Sequence, residues 1–489
     1  MSTAHPRPNI LFIMTDDHAS HAMSCYGSKI NTTPHLDRIA EGGMRFDNCF
    51  CTNSICEPSR ATILTGTYNH VNRVTTLGSG LDNSILTFPK LLQRDGYQTA
   101  MVGKWHLGHG PRHDPRGFDF WSVLHDQGPY FDPKMHEADG DKQYTGYTTD
   151  IITDLCLDWL EKRDREKPFC LLYHHKAPHR NWLPDEKHAR MYEDGDVPEP
   201  ETLFDDYATR AKPAHEARMR VGRDMFTDHD FKGEEPPAGL SEEDRVRWCY
   251  QKYIKDYLRC VASVDDNVGR VLDYLDAEGI ADDTIVVYTS DQGFFLGDHG
   301  WYDKRFMYEE SLRMPFLVRY PRAIEPGSVN TDLVTNVDFA ATFLDYAGVD
   351  RPQTFQGHSL RPLFQDETPP DWQDCVYYRY WMHLAHHFVC AHYGIRTQRY
   401  KLIFYYPDGL NQTGTGLGSG LFAGGKHGEV TEHDPFTCEW ELFDLEKDPQ
   451  ELSNVYHDPA YAELVRELKD KLHRKQAEVG DDRYPGDVD

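Results

Sequence analysis

Unbroken apolar runs punctuate the first two thirds of this chain. Residues 9–14, Asn-Ile-Leu-Phe-Ile-Met, form the clearest one, and residues 168–173, 284–289 and 315–320 repeat the pattern. Runs of this length without polar alternation predict parallel strands buried on both faces. Residues 97–103 add another strand. Between the strands, the spacing predicts helices over 85–96, 152–163 and 336–348, and a long one from about Ser241 to Gly279. The long helix carries a stripe that includes Trp248, Tyr257, Val261, Val264, Val268 and Leu272, which reads as core. Strand alternating with helix predicts an α/β fold built on a large, mostly parallel sheet sandwiched by helices.

After about residue 365 the pattern changes. Residues 376–380, 394–397 and 400–404 read as antiparallel strands, residues 409–428 as a glycine-rich loop, and residues 440–445 precede a terminal helix over 459–478. The chain has 489 residues, more than one core usually serves. The expected organisation is an α/β catalytic domain over 1–365 and a smaller α+β domain over 366–489 that completes the substrate pocket with an antiparallel sheet. Residues 184–245 are charged and proline-rich with no long period, and are expected to insert over one face as part of the pocket rim.

Polar groups follow the predicted strands. Asp16 and Asp17 come directly after the first, and Asp291 and Gln292 after the fourth. Lys104 and His106 follow the strand over 97–103, where alternation would put them on one side. His174, His175 and His179 follow the strand over 168–173. Sites in parallel sheets form beyond the carboxyl ends of the strands. Adjacent carboxylates there repel one another unless a cation sits between them.

Residues 54–66 read as a helix start. Pro58 suits the first helical position and Gly66 a stop, which places Cys56 just before an anion-friendly helix end, with Arg60 about one turn on. A small nucleophile beside a fixed cation suits a sulfate or phosphate ester. The plainer reading of this stretch alone is a buried cysteine ahead of an amphipathic helix.

Composition narrows the partners. With 52 Lys and Arg against 80 Asp and Glu, the formal net charge is −28. Such a chain is a poor match for nucleic acid or an anionic membrane, and any anionic substrate must be caught by a local cationic pocket. That favours small or terminal anionic groups. The N-terminus lacks the pattern of a signal peptide, no run reaches transmembrane length, and eleven cysteines without a leader fit a reducing compartment, so the expected location is cytoplasmic. A homo-oligomer stays open.

The stretch Cys56-Glu57-Pro58-Ser59-Arg60, followed by Ile63-Leu64-Thr65-Gly66, resembles the C-x-P-S-R signature of type I sulfatases, in the alkaline phosphatase-like superfamily. Glu57 stands where that family more often has a small residue. The likeness extends over essentially the whole chain, with Gly103 to Gly108 matching the family's G-K-W-H-L-G motif. It implies the family's fold and the oxidation of Cys56 to formylglycine by a formylglycine-generating enzyme. It also implies a divalent metal held by Asp16, Asp17, Asp291, Gln292 and the modified Cys56. Four protein oxygen donors suit Ca²⁺, with Mg²⁺ or Mn²⁺ as alternatives. By the same resemblance, Arg60, Lys104 and Lys304 bind sulfuryl oxygens, His179 with Lys304 protonates the leaving alcohol, and His106 takes the proton that lets sulfate depart.

Residues 290–300 and 303–311 look most like the carbohydrate branch, including sulfatases of 6-sulfated N-acetylglucosamine. The implied substrate is a small sulfated mono- or oligosaccharide, with His125, Gln127, Tyr130, His392 and Arg396 as candidate sugar contacts. Two alternatives remain: a phosphonate monoester or phosphodiester hydrolase of the same superfamily, and a non-catalytic glycan-binding relative if Cys56 is unmodified.

Overall fold

A ten-stranded mixed sheet forms the spine of the protein, whose computed structural model describes residues 7–407 and 436–487. Its strands, in chain order, are β1 (Asn9–Thr15), β2 (Met44–Phe46), β3 (Gln98–Gly103), β4 (Phe120–Leu124) and β5 (Lys134–Glu137). β6 (Gly140–Gln143), β7 (Phe169–His174), β8 (Thr284–Ser290), β9 (Phe316–Arg319) and β10 (Ser328–Asn330) complete it. They lie in the order β10-β2-β9-β8-β1-β7-β3-β4-β5-β6. The five central strands, β8, β1, β7, β3 and β4, run parallel. β9 runs antiparallel to both of its neighbours. The short strands β2, β4, β5, β6 and β10 add to the sequence reading, because strands of three to five residues carry little hydrophobic pattern.

The main helices are α1 (Pro34–Glu41), α2 (Cys56–Thr65), α3 (Phe88–Arg94), α4 (Thr148–Lys162), α5 (Glu242–Ala277), α6 (Asp338–Ala347) and α7 (Ala462–Val479). Ser241 caps α5 by accepting the Asp244 N–H, and Gly348 ends α6 in the left-handed region. Alternate residues of β1 feed two apolar layers. Ile10, Phe12 and Met14 pack with Phe339 and Phe343 of α6, whereas Leu11 and Ile13 share a cluster with Tyr257, Val261 and Val264 of α5. The stripe on α5 is therefore core, as its spacing predicts.

The helix α2 begins two residues earlier than the sequence suggests: Cys56 is already helical and Pro58 occupies the third position. The shift costs no hydrogen bond, since the first four N–H groups of a helix have no partner within it. All ten residues of α2 are buried.

A second sheet of four antiparallel strands, β11 (Cys375–Tyr380), β12 (His392–Thr397), β13 (Tyr400–Tyr405) and β14 (Glu439–Asp444), follows in chain order. Leu468 and Leu472 of α7 pack on its face with Tyr377, Tyr393 and Leu442. The glycine-rich stretch 409–428 lies outside the described residues. Among the described residues, no helix is long and apolar enough to cross a membrane.

Candidate active site

Five neighbouring parallel strands end at one edge of the sheet, and each is followed by a polar group. Asp291 and Gln292 follow β8, Asp16 and Asp17 follow β1, and His179 lies five residues beyond β7. Lys104 and His106 follow β3, and Gln127 follows β4. Lys104 and His106 do not meet by strand alternation, however. β3 stops at Gly103, and His106 has a φ of 52°, so a turn brings the pair together. Gly103 makes that turn possible: at its φ of 102° a Cβ would sit 1.9 Å from the His174 carbonyl oxygen, which accepts the Lys104 N–H at 2.8 Å.

Three carboxylates share a solvent-free floor, Asp16, Asp17 and Asp291 being at most 1% exposed. The Asp17 N–H donates to Asp291 Oδ1 at 3.3 Å, and the Gln292 amide donates to Asp17 Oδ1 at 2.5 Å. Tyr257 of α5 braces this turn by donating to the Asp17 carbonyl at 2.7 Å and accepting the Ala19 N–H at 2.9 Å. Burial pushes Asp17 up to about 7, and Asp16 and Asp291 push the same way against the pull of Lys304. Burial and then Asp16 raise Asp291 as well. Burial works against charge on Asp16 too, but the cations Lys104, Lys304 and Arg60 hold it well below the usual carboxylate range.

Such a cluster is balanced by positive charge. Lys104 ion-pairs with Asp16 and Lys304 with Asp17. Asp16 Oδ1 and Gln292 Oε1 are nonetheless sealed from solvent without a hydrogen-bond partner. Unpartnered buried oxygens among carboxylates fit a hard divalent cation. Arg60 departs from the expected sulfuryl-binding role. Its guanidinium is 2% exposed, donates to the Lys104 carbonyl at 2.7 Å and pairs with Asp291 at 2.9 Å. It holds the carboxylate floor together from beneath.

Cys56 opens onto a cavity of about 680 Å³, together with Lys304, His179 and Gln127. Burial pushes the Cys56 thiol up to about 11 despite Lys104 and Lys304. An unmodified Cys56 is therefore a protonated, weak nucleophile at neutral pH. His179 Nδ1 faces the Arg180 carbonyl at 2.7 Å, which puts its proton there and leaves Nε2 towards Asp17, 3.8 Å from Oδ2. Gln127 donates to His106 Nε2 at 3.3 Å and accepts from Lys104. Burial and then Lys104 pull both His179 and His106 well below the usual imidazole range, so each is neutral.

Several lining residues escaped the sequence reading. Phe226, Thr227, Asp228 and His229, from within 184–245, form part of the wall, and His386 and His387 reach it from the C-terminal portion. Arg180 also lines the cavity and is held by both oxygens of Asp230 at 2.6 Å. His387 bonds Asp303 at 2.9 Å. Lys176, pulled down to about 7 by burial and then Lys104, places its amine over the Tyr130 ring. These residues are far apart in sequence and meet only through the fold, although the adjacent Asp303-Lys304-Arg305 triplet marks one of their segments.

The candidate sugar contacts divide. Gln127 lines the cavity. Tyr130 is 2% exposed and donates to the His179 carbonyl at 2.5 Å, so it braces His179 from behind. His392 is buried among Phe306, Tyr378, Tyr380 and Tyr405, and Arg396 is spent on Glu309. Neither lines the cavity, because each satisfies a structural cluster behind β12. His125 also stands outside it, beside His109 and His136. His174, His175 and His299 are buried. Glu57 has a structural use: its carboxylate accepts the Gly78 and Gly80 N–H groups at 2.6 and 2.5 Å, fixing the loop that carries Leu77 to the cavity.

A family model described as sulfatase matches residues 8–349, and one described as N-sulphoglucosamine sulphohydrolase, C-terminal, matches 297–412 and 434–478. An N-acetylglucosamine-6-O-sulfatase of Bacteroides thetaiotaomicron is 44% identical, over 97% of this chain and 87% of its own. An ulvan-active sulfatase of Formosa agariphila is 26% identical, over 97% of this chain and 82% of its own. Among solved structures, one described as a complex with its substrate D-glucosamine-2-N,6-O-disulfate superposes with a TM-score of 0.88 at 43% identity, covering 99% of this chain and all of that one.

Proposed function

Because the chain belongs to the sulfatase family and is a sulfuric ester hydrolase acting on a sugar sulfate, we propose that it removes the 6-O-sulfate of N-acetylglucosamine or an N-sulfated glucosamine. The observation that carries this reading is Cys56, Lys304 and His179 on one cavity wall above the buried Asp16, Asp17, Asp291 and Gln292. The 44% identical 6-O-sulfatase supports the position of the sulfate, and the neighbour's disulfated glucosamine supports the sugar. In this reading residues 1–365 carry the chemistry, and residues 366–489 complete the pocket through His386 and His387.

Asp16, Asp17, Asp291 and Gln292, with modified Cys56, would hold Ca²⁺, or alternatively Mg²⁺ or Mn²⁺, which neutralises charge on the sulfate. Formylglycine at Cys56, made by a formylglycine-generating enzyme, supplies a hydrated aldehyde whose second hydroxyl allows sulfate to leave. The chain's own side chains do the rest. Lys304, and Lys104 behind it, would bind the sulfuryl oxygens in a site that excludes water. Binding there replaces their present pairing to Asp17 and Asp16. His179, its Nδ1–H being committed to the Arg180 carbonyl, would first take up a proton from solvent at Nε2 and then deliver that proton to the leaving sugar oxygen. His106 would take up a proton at Nε2, the nitrogen that Gln127 addresses. All cysteines among the described residues are free thiols, which supports a reducing compartment.

The test compares sulfate release from 6-sulfated N-acetylglucosamine with turnover of sulfate and phosphate esters that share one leaving group. Preferred hydrolysis of the sulfated sugar supports the reading. Preferred phosphate or phosphonate turnover moves the protein to the sister activity, and saturable sugar binding without release makes it a glycan-binding protein.

A further inference from the structure

We propose that the sheet edge beside the cavity carries a second metal site, for zinc or a similar borderline divalent cation, made by His125, His136 and Asp141. The backbone places these residues together. His136 of β5 and Asp141 of β6 are paired directly across the hairpin, so their side chains share a face. Val123 of β4 pairs with His136 on its other side, and His125 follows directly after the end of β4.

The ligand atoms converge. Asp141 Oδ1 lies 2.9 Å from His136 Nδ1 and 3.1 Å from His125 Nε2. One ligand atom from each of the three lies within 4.8 Å of the others. Tetrahedral zinc, with bonds of about 2.0–2.1 Å, separates its ligand atoms by roughly 3.4 Å, and both Asp141 distances lie within about 0.5 Å of that spacing. His125 Nε2 is sealed from solvent and makes no hydrogen bond, its approach to Asp141 being out of line for one. Lys134 takes the other Asp141 oxygen at 2.8 Å, which leaves Oδ1 for the ion.

Both ring nitrogens of His136 face carboxylates: Nδ1 bonds Asp141 Oδ1 at 2.9 Å and Nε2 bonds Asp114 Oδ1 at 3.1 Å, the latter oxygen also accepting the Gly110 N–H at 2.7 Å. An ion would take the place of the proton on Nδ1, while the Nε2–H bond to Asp114 keeps the ring turned towards His125 and Asp141, the arrangement that orients metal-ligating histidines. A third imidazole, His109, stands 5.0 and 5.4 Å from the other two ring centres but takes no part. Its Nε2 accepts the Asp126 N–H at 3.2 Å, which commits its proton to Nδ1. Side-chain exposures of 38%, 21% and 28% for His125, His136 and Asp141 leave an entry for the ion and an open fourth position. Two nitrogens and one oxygen select a softer cation than the all-oxygen protein donors beneath the cavity.

The site would act by positioning. His125 lies two residues before Gln127, which reaches both Lys104 and His106. An ion there would pin the loop that delivers Gln127.

Full-length protein is loaded with Ca²⁺, given one equivalent of Zn²⁺ and dialysed against excess Ca²⁺, and the retained metal is counted by plasma mass spectrometry. One zinc per chain is expected, with Co²⁺ giving the visible bands of a tetrahedral site. His136→Ala and His125→Gln should each lose the zinc, whereas Asp17→Asn, which damages the cavity cluster, should keep it. His125→Gln alters a partly exposed ring, and circular dichroism on both variants separates lost binding from lost folding. Wild-type protein without zinc, or zinc kept by folded His125→Gln, overturns the proposal. So does zinc lost with Asp17→Asn.

Discussion

Arg60 Nη2 lies 2.9 Å from Asp291 Oδ2, with both side chains closed off from solvent. Removing one partner of a buried pair strands the other charge, at a cost of about 3–5 kcal/mol. Arg60→Ala should lose stability of that order in denaturant unfolding, along with all turnover. Arg60→Lys should recover part of the stability but not the bond to the Lys104 carbonyl. A change below about 1 kcal/mol for Arg60→Ala, the range of an exposed pair, would remove Arg60 from the role of holding the floor.

The unpartnered Asp16 Oδ1 and Gln292 Oε1 predict that metal binding stabilises the fold. A ligand present at a hundred times its Kd adds about 2.7 kcal/mol. Ca²⁺ should therefore raise the melting temperature of the chelator-treated protein and restore its turnover. The melting shift should vanish in Asp16→Asn and shrink in Gln292→Leu. An undiminished shift in Asp16→Asn would place the ion elsewhere.

His299 supplies a pH dependence. Burial opposes its charge, but Asp205 at 2.9 Å and Glu310 outweigh burial and raise it from 6.5 to about 9. A group raised in the fold contributes stability that is fully present below its unfolded value, here 6.5, and is lost as pH climbs through 9. At 1.36 kcal/mol per pH unit the loss is at most roughly 3 kcal/mol. Urea unfolding on either side of that window should show it in the wild type and show a flatter profile in His299→Asn. Equal slopes would mean that His299 is not charged in the fold.

Gln127 couples Lys104 to His106, and Gln127→Leu removes both bonds while keeping the bulk. Misplacing a reacting group by about 1 Å costs on the order of 100-fold in rate. A fall in kcat up to that size is expected, with a smaller change in KM. A rise in KM alone would make Gln127 a substrate contact and nothing more.

The sequence made the centre of the molecule legible and its edges obscure, for physical reasons. Residues 9–14 are apolar without interruption because β1 is buried on both faces, and acids placed directly after such a strand stand out. β6, Gly140–Gln143, is exposed along its whole length, so no apolar period marks it. Pro58 misplaced the start of α2 because any of the first four helical positions tolerates a missing N–H. Arg180, His229 and His387 could not be grouped, since only tertiary folding brings them to one cavity. His392 and Arg396 misled in the opposite sense: their polarity serves a ring cluster and Glu309 rather than a sugar.

The central claim is that Cys56 is the catalytic position of a sugar sulfatase. It is tested most directly by ion chromatography of free sulfate from 6-O-sulfated N-acetylglucosamine, using protein matured with a formylglycine-generating enzyme and its Cys56→Ala variant. The account predicts multiple turnovers for the first and none for the second. Sulfate release that survives Cys56→Ala, or no release by protein whose Cys56 is shown by mass spectrometry to be formylglycine, would contradict it.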